Sequence, residues 1–161
     1  LVSSVETINT VDIIPSDYKR QEAIGYEAAL VSNLDLFNMM PYDQKNKISF
    51  HERSEISRLL QEGKKHDLLF IDGNHTDFNV IYEDFEICRL LSNEKSVFIW
   101  DDYYPEKFAI KDVIHKIAER HDYEFLLVES RGHLFKDHRS PEKNCGMVIM
   151  RKKGAHEDIF A

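Results

Sequence analysis

Residues 67–72 (Asp-Leu-Leu-Phe-Ile-Asp) and 96–100 (Ser-Val-Phe-Ile-Trp) constrain most tightly how this chain can fold. Neither run alternates apolar with polar side chains. Such a strand suits the middle of a parallel sheet covered on both faces, rather than a half-solvated antiparallel meander. Between the two runs, residues 76–92 carry Phe78, Val80, Ile81, Phe85, Cys88 and Leu91 at helical spacing. Strand, helix and strand in this order predict a right-handed crossover between parallel neighbours.

The same alternation extends in both directions. Residues 8–14 form a β-branched strand closed by Pro15. Residues 18–33 predict a helix through Tyr18, Ala23, Tyr26, Ala29 and Leu30. A short helix or loop is expected over 35–43 and a strand over 47–51. A helix follows over 54–62, with Gly63 to stop it. Residues 106–121 repeat the amphipathic pattern through Phe108, Ile110, Val113, Ile114 and Ile117. Strands over 123–128 and 145–150 close the chain, joined by the polar segment 129–144. Two final strands without a helix between them predict an antiparallel hairpin. The expected order is β-α-β-α-β-α-β-α-β-β, one α/β domain over 1–161 with a mostly parallel sheet and helices on both faces.

Composition narrows the function. With 42% hydrophobic and 31% charged residues in 161, the chain can build one core. Its formal net charge of −8 argues against a nucleic-acid partner, because phosphate neutralisation needs clustered Lys and Arg. The basic runs Lys64-Lys65 and Arg151-Lys152-Lys153 are short. Cys88 and Cys145 have no metal-ligand spacing and read as free thiols of a reducing compartment. No run approaches the roughly 20 apolar residues of a membrane span, and no signal peptide is visible. The expectation is a cytoplasmic protein acting on a small molecule, without a membrane partner, and compatible with a homo-oligomer.

In an open α/β sheet, ligands bind beyond the carboxyl ends of the strands. Those ends carry Asp12, then Asp72-Gly73-Asn74-His75, then Asp101-Asp102. Four carboxylates at three strand ends are the chain's most informative cluster. Three close carboxylates would repel one another without a cation, and hard oxygen ligands suit Mg²⁺. Equally, Asp72, Asp101 and Asp102 could cap the helices that follow. His75 is the candidate general base, since an imidazole titrates near neutrality; it could equally order its loop.

The segment Phe70-Ile71-Asp72-Gly73-Asn74-His75, followed after one helix by Ile99-Trp100-Asp101-Asp102, resembles the small class I S-adenosylmethionine-dependent methyltransferases that carry an "IDG-x-H" strand end. Some of these are metal-dependent O-methyltransferases of sugar or phenolic hydroxyls. The likeness runs from about residue 8 to 153 and implies a Rossmann-like fold. It implies that Asp12 accepts the cofactor's ribose hydroxyls and that Glu52, Arg53 and Ser54 surround its adenine. The alternatives are a turn Asp before Pro15 and a helix start at Ser54-Glu55. It further implies that Asp72, Asp101 and Asp102 hold Mg²⁺, with Asp72 and His75 at the reacting hydroxyl. Where some relatives carry an acidic base, this chain has Asn74, which cannot take a proton.

One family feature is missing. The relatives carry an early strand with a glycine-rich loop, where a Cβ would block approach to the cofactor's methionine part. The glycines here, at 25, 63, 73, 132, 146 and 154, are not placed to serve. With the abrupt opening at Leu1, this predicts an N-terminally truncated domain. The rival expectation is a non-catalytic methyltransferase-like binding module.

Overall fold

The computed structural model describes residues 5–12, 20–24, 27–74, 76–103, 109–129 and 146–155. The chain divides into two compact units, Leu1–Glu62 and Gly63–Ala161.

In the first unit, β1 (Ile8–Asp12) pairs in parallel with β4 (Ile48–Glu52), and the register sets Asp12 opposite Glu52. Between them lie β2 (Arg20–Ile24) and β3 (Glu27–Val31), an antiparallel pair. The helix expected over 18–33 is therefore corrected to two strands. Its apolar positions fit a helix only loosely, and Gly25 interrupts it. Two residues, Gly25 and Tyr26, separate the strands, a length and composition that favour a hairpin over continued helix.

Ser32 then starts α1 (Asn33–Met39) with a capping box. Its hydroxyl accepts the Asp35 N–H at 3.0 Å, and the Asp35 carboxylate accepts the Ser32 N–H at 2.9 Å. A single turn, α2 (Tyr42–Lys45), precedes β4. After β4 a 3-10 turn, Arg53–Glu55, leads into α3 (Ile56–Glu62). Gly63 ends it at φ +67°, a left-handed conformation that disfavours any Cβ.

The second unit is a four-stranded sheet in the order β5 (His66–Ile71), β6 (Ser92–Tyr103), β8 (Gly146–Lys152), β7 (Tyr123–Glu129). Strands β5 and β6 are parallel, and β8 runs antiparallel to both β6 and β7. Three of these four strands thus point the same way. The last strand enters between β6 and β7, so the closing antiparallel pair is internal to the sheet on one side. Helices α4 (Phe78–Leu90) and α5 (Ile110–His121) pack on each other and on the same sheet face.

That face holds the core. Phe85, Phe98, Trp100, Val113, Ile114, Ile117, Val148 and Met150 are all sealed from solvent. Phe85 sits 5.7 Å, centroid to centroid, from both Phe98 and Tyr123, with tilted and edge-on geometry that suits ring quadrupoles. The side chain of His121 joins α5 to α4: its Nε2 lies 2.7 Å from Tyr82 Oη and 3.2 Å from Glu86 Oε1.

Burial of 67–72 follows a different pattern from the expectation. Leu69 and Ile71 are buried, while Leu68 and Phe70 are 58% and 56% exposed. The reason is that α4 and α5 share one face. Leu126, Val128 and Met147 are exposed as well.

Candidate functional site

The candidate residues fall at strand ends in both units. In the first unit the parallel ladder of β1 and β4 ends on Asp12 and Glu52, two acidic residues on neighbouring strands. The side chain of Asp12 lies outside the described ones.

A chain of polar contacts holds the end of β4. The Glu52 N–H donates to Glu55 Oε2 at 3.0 Å, and a reciprocal capping box turns the Glu52 carboxylate toward the Glu55 backbone. Arg58 donates to Glu55 Oε1 at 2.8 Å and to Glu62 Oε1 at 2.6 Å. It also meets His51 Nδ1 at 3.2 Å. A guanidinium can only donate, so His51 Nδ1 accepts and its Nε2–H donates to Asn9 Oδ1, 3.1 Å away on β1. The backbone hydrogen bond from Glu52 and the Arg58 guanidinium hold the Glu55 carboxyl below its ordinary range. Ser54 is exposed, and its hydroxyl lies 3.4 Å from Glu52 Oε2. The helix start expected at Ser54-Glu55 is capped instead by Glu52, two residues earlier. Sequence reading took Glu55 only as a helix start and gave His51 and Arg58 no role. The signal was the i, i+3 pair Glu52/Glu55 with Arg58 three residues further on.

In the second unit, the parallel register ends on Ile71 opposite Trp100. Asp72 is the first residue after β5, and Asp101 follows Trp100 within β6, which runs on to Tyr103. The loop that leaves β5 is tied down by its own side chains. Asn74 Oδ1 accepts the N–H groups of Thr76 and Asp77, both at 2.8 Å, an Asx turn. Asp77 then caps α4, its Oδ1 accepting the Asn79 N–H at 2.9 Å. Asn74, which cannot act as a base, instead shapes this loop.

His75 lies outside the described residues, as do the segment 130–145 and the side chain of Asp102. Among the described residues, no three His, Cys, Asp or Glu side chains form a group that could hold a metal ion. Strand β6 has a register irregularity against β8 between Trp100 and Tyr103. Tyr103 belongs to the core at 6% exposure. Burial first, and then the Asp112 carboxylate, push its phenol up.

A further carboxylate reaches the β5 end from α4. Asp84 Oδ2 lies 2.8 Å from where a Cβ on Gly73 would stand. Asp84 occupies the core-facing stripe of α4, between the buried Ile81 and Phe85 and the thiol of Cys88. An acidic residue in an apolar stripe was the available signal.

This arrangement of strands and helices has known counterparts. An O-methyltransferase from Bacillus cereus, solved in complex with SAH, superposes with a TM-score of 0.51 at 15% identity, over 69% of this chain and 53% of that one. The methyltransferase domain of bacterial CtHen1 superposes at 0.58 with 14% identity, over 91% and 78%. The fold is that of the methyltransferases. Precorrin 8W decarboxylase of Methanobacterium thermoautotrophicum shares it at 0.54, with 9% identity, over 93% of this chain and 73% of that one. Among methyltransferases the spread of identity is uniformly low, so the likeness speaks for architecture. The chain spans about half the length of the O-methyltransferases it matches. No family model matches the sequence, and no curated protein does. Among the described residues, no helix is long and apolar enough to cross a membrane.

Proposed function

We propose that this chain belongs to an S-adenosylmethionine-dependent methyltransferase that transfers a methyl group to a hydroxyl of a small acceptor. One observation carries the reading: acidic residues lie where parallel ladders end, Asp12 opposite Glu52, and Asp72 and Asp101 each directly after the pair Ile71 and Trp100, in a fold shared with methyltransferases.

Bound S-adenosylmethionine would supply a methyl carbon on a sulfonium sulfur, open to in-line attack. Asp12 accepts the vicinal ribose hydroxyls, for which a carboxylate at a strand end has two oxygens available. Glu52, Arg53 and Ser54 border the adenine. His75 takes the proton of the acceptor hydroxyl as its oxygen attacks, and Asp72 orients that oxygen. Asp72, Asp101 and Asp102 are the residues that would hold Mg²⁺, whose chemistry there would be to lower the hydroxyl's pKa. Their oxygens suit a hard cation in kind. The protein's own contribution is mainly positioning and deprotonation. The acceptor is uncharged or weakly charged and is not a nucleic acid, in keeping with the net charge of −8.

The test is calorimetric titration of S-adenosylhomocysteine into the protein, with and without Mg²⁺, and into Asp12→Ala. Binding that weakens at least about tenfold in Asp12→Ala, the loss of a charge-assisted hydrogen bond, is the expected result. Absence of binding to the unaltered chain would sink the catalytic reading and favour a methyltransferase-like module without cofactor. Mg²⁺ dependence that survives Asp102→Ala unchanged would remove the metal from the proposal.

A further inference from the structure

Gly73 and Asp84 are eleven residues apart in sequence and in contact in space. A Cβ at position 73 would stand 2.8 Å from Asp84 Oδ2, closer than real Cβ contacts come. Position 73 follows the strand end Asp72, and position 84 lies on the core-facing stripe of α4. Its carboxylate is therefore delivered to the loop by a helix that the sheet itself anchors through Ile81 and Phe85. The other end of the same loop is closed by the Asn74 Asx turn and the Asp77 cap. Gly73 and Asn74 thus lie between two sets of side-chain contacts, with Asp84 the one nearest the strand end.

Burial argues that this carboxylate is more than surface decoration. Asp84 is partly buried and close enough to Cys88 for its charge to help push the thiol up. A charge retained in an apolar helix stripe costs desolvation, which polar partners must offset.

We propose that Asp84 is a positioning residue for the loop leaving β5, and that residue 73 is glycine so that the Asp84 carboxylate can approach the backbone. The carboxylate fixes the path of Asp72, Gly73 and Asn74, and so sets where Asp72 stands relative to bound substrate. This last clause rests on the reading of the β5 end as the methyl-transfer site; the contact itself does not.

The experiment combines two readouts on Asp84→Ala, Asp84→Asn, Gly73→Ala and the double variant Gly73→Ala/Asp84→Ala. Amide hydrogen exchange reports on residues 73–77 against strand β6 as an internal reference for folding. Affinity for S-adenosylhomocysteine reports on the site. In Asp84→Ala and in Gly73→Ala, loop exchange rises about tenfold, with β6 protection intact and affinity falling by a similar factor. The double variant is no worse than either single one, because Gly73→Ala already displaces the carboxylate. Asp84→Asn, nearly isosteric, preserves the fold and loses part of the grip. Additive losses in the double variant would overturn the proposal, as would loop exchange in Asp84→Ala and Asp84→Asn equal to that of the unaltered protein. If the unaltered protein binds no S-adenosylhomocysteine, the functional reading fails, and the exchange data alone still decide the role of Asp84.

Discussion

Cys88 shows how a single side chain takes its chemistry from its neighbours. Burial pushes its thiol up to about 12, and the Asp84 carboxylate adds to the push. The thiolate is the reactive form, so at pH 8 alkylation by iodoacetamide should run on the order of a thousandfold slower than for an ordinary thiol titrating near 8.5. Measured on a Cys145→Ser background, a rate within tenfold of free cysteine would contradict the burial. The sign of the pH effect follows. The folded thiol holds its proton above the pH at which the unfolded one loses it. The stability it contributes is complete below about pH 8.5 and declines as pH rises toward about 12. His51 is a second example: Arg58 on one nitrogen and Asn9 on the other fix its tautomer.

At the scale of elements, the ends matter more than the middles. Helix α4 is begun by Asp77, and Asp77→Ala should cost about 1 kcal/mol in urea unfolding, the usual worth of a side-chain N-cap. A loss below about 0.3 kcal/mol would mean that the Asx turn at Asn74 suffices to start the helix. Helix α5 has no side-chain cap at Ala109, and it relies on Ile110, Val113, Ile114 and Ile117, all buried. The β2–β3 pair shows the converse. Residues 20–24 and 27–31 have no strong apolar period of either kind, and a two-residue connection containing Gly25 settles the matter. Local propensity there is a weak guide, and pairing overrides it.

Among the described residues, the three-residue basic run at 151–153 is paired with acidic neighbours. Arg151 pairs with Glu124, Lys152 with Glu94 and Lys153 with Asp122 at 3.2 Å. The one three-residue basic run is therefore already neutralised, in a chain of net charge −8. Fluorescence anisotropy with duplex DNA or RNA at 0.15 M salt should show no binding below roughly 100 μM, the weak end of ordinary non-specific affinity. Micromolar binding would overturn the small-acceptor reading and move attention to the polar segments.

Periodicity and strand-end residues alone determined most of the second unit. The runs at 67–72 and 96–100 are short and hold a continuous apolar stretch, the stripes of α4 and α5 are helical, and the observed β5, α4, β6 and α5 lie within a few residues of expectation. The parallel pairing of β5 with β6 was legible for the same reason, since a crossover makes consecutive strands parallel neighbours. Tertiary structure alone decided three things. It set β8 between β6 and β7, because strand order depends on which edges pair and not on local pattern. It left Leu68 and Phe70 exposed, because α4 and α5 both took the opposite face. And it brought Asp84 against Gly73, a contact between a helix and a loop that no period in the chain encodes, since it arises only when the helix stripe is laid on the sheet.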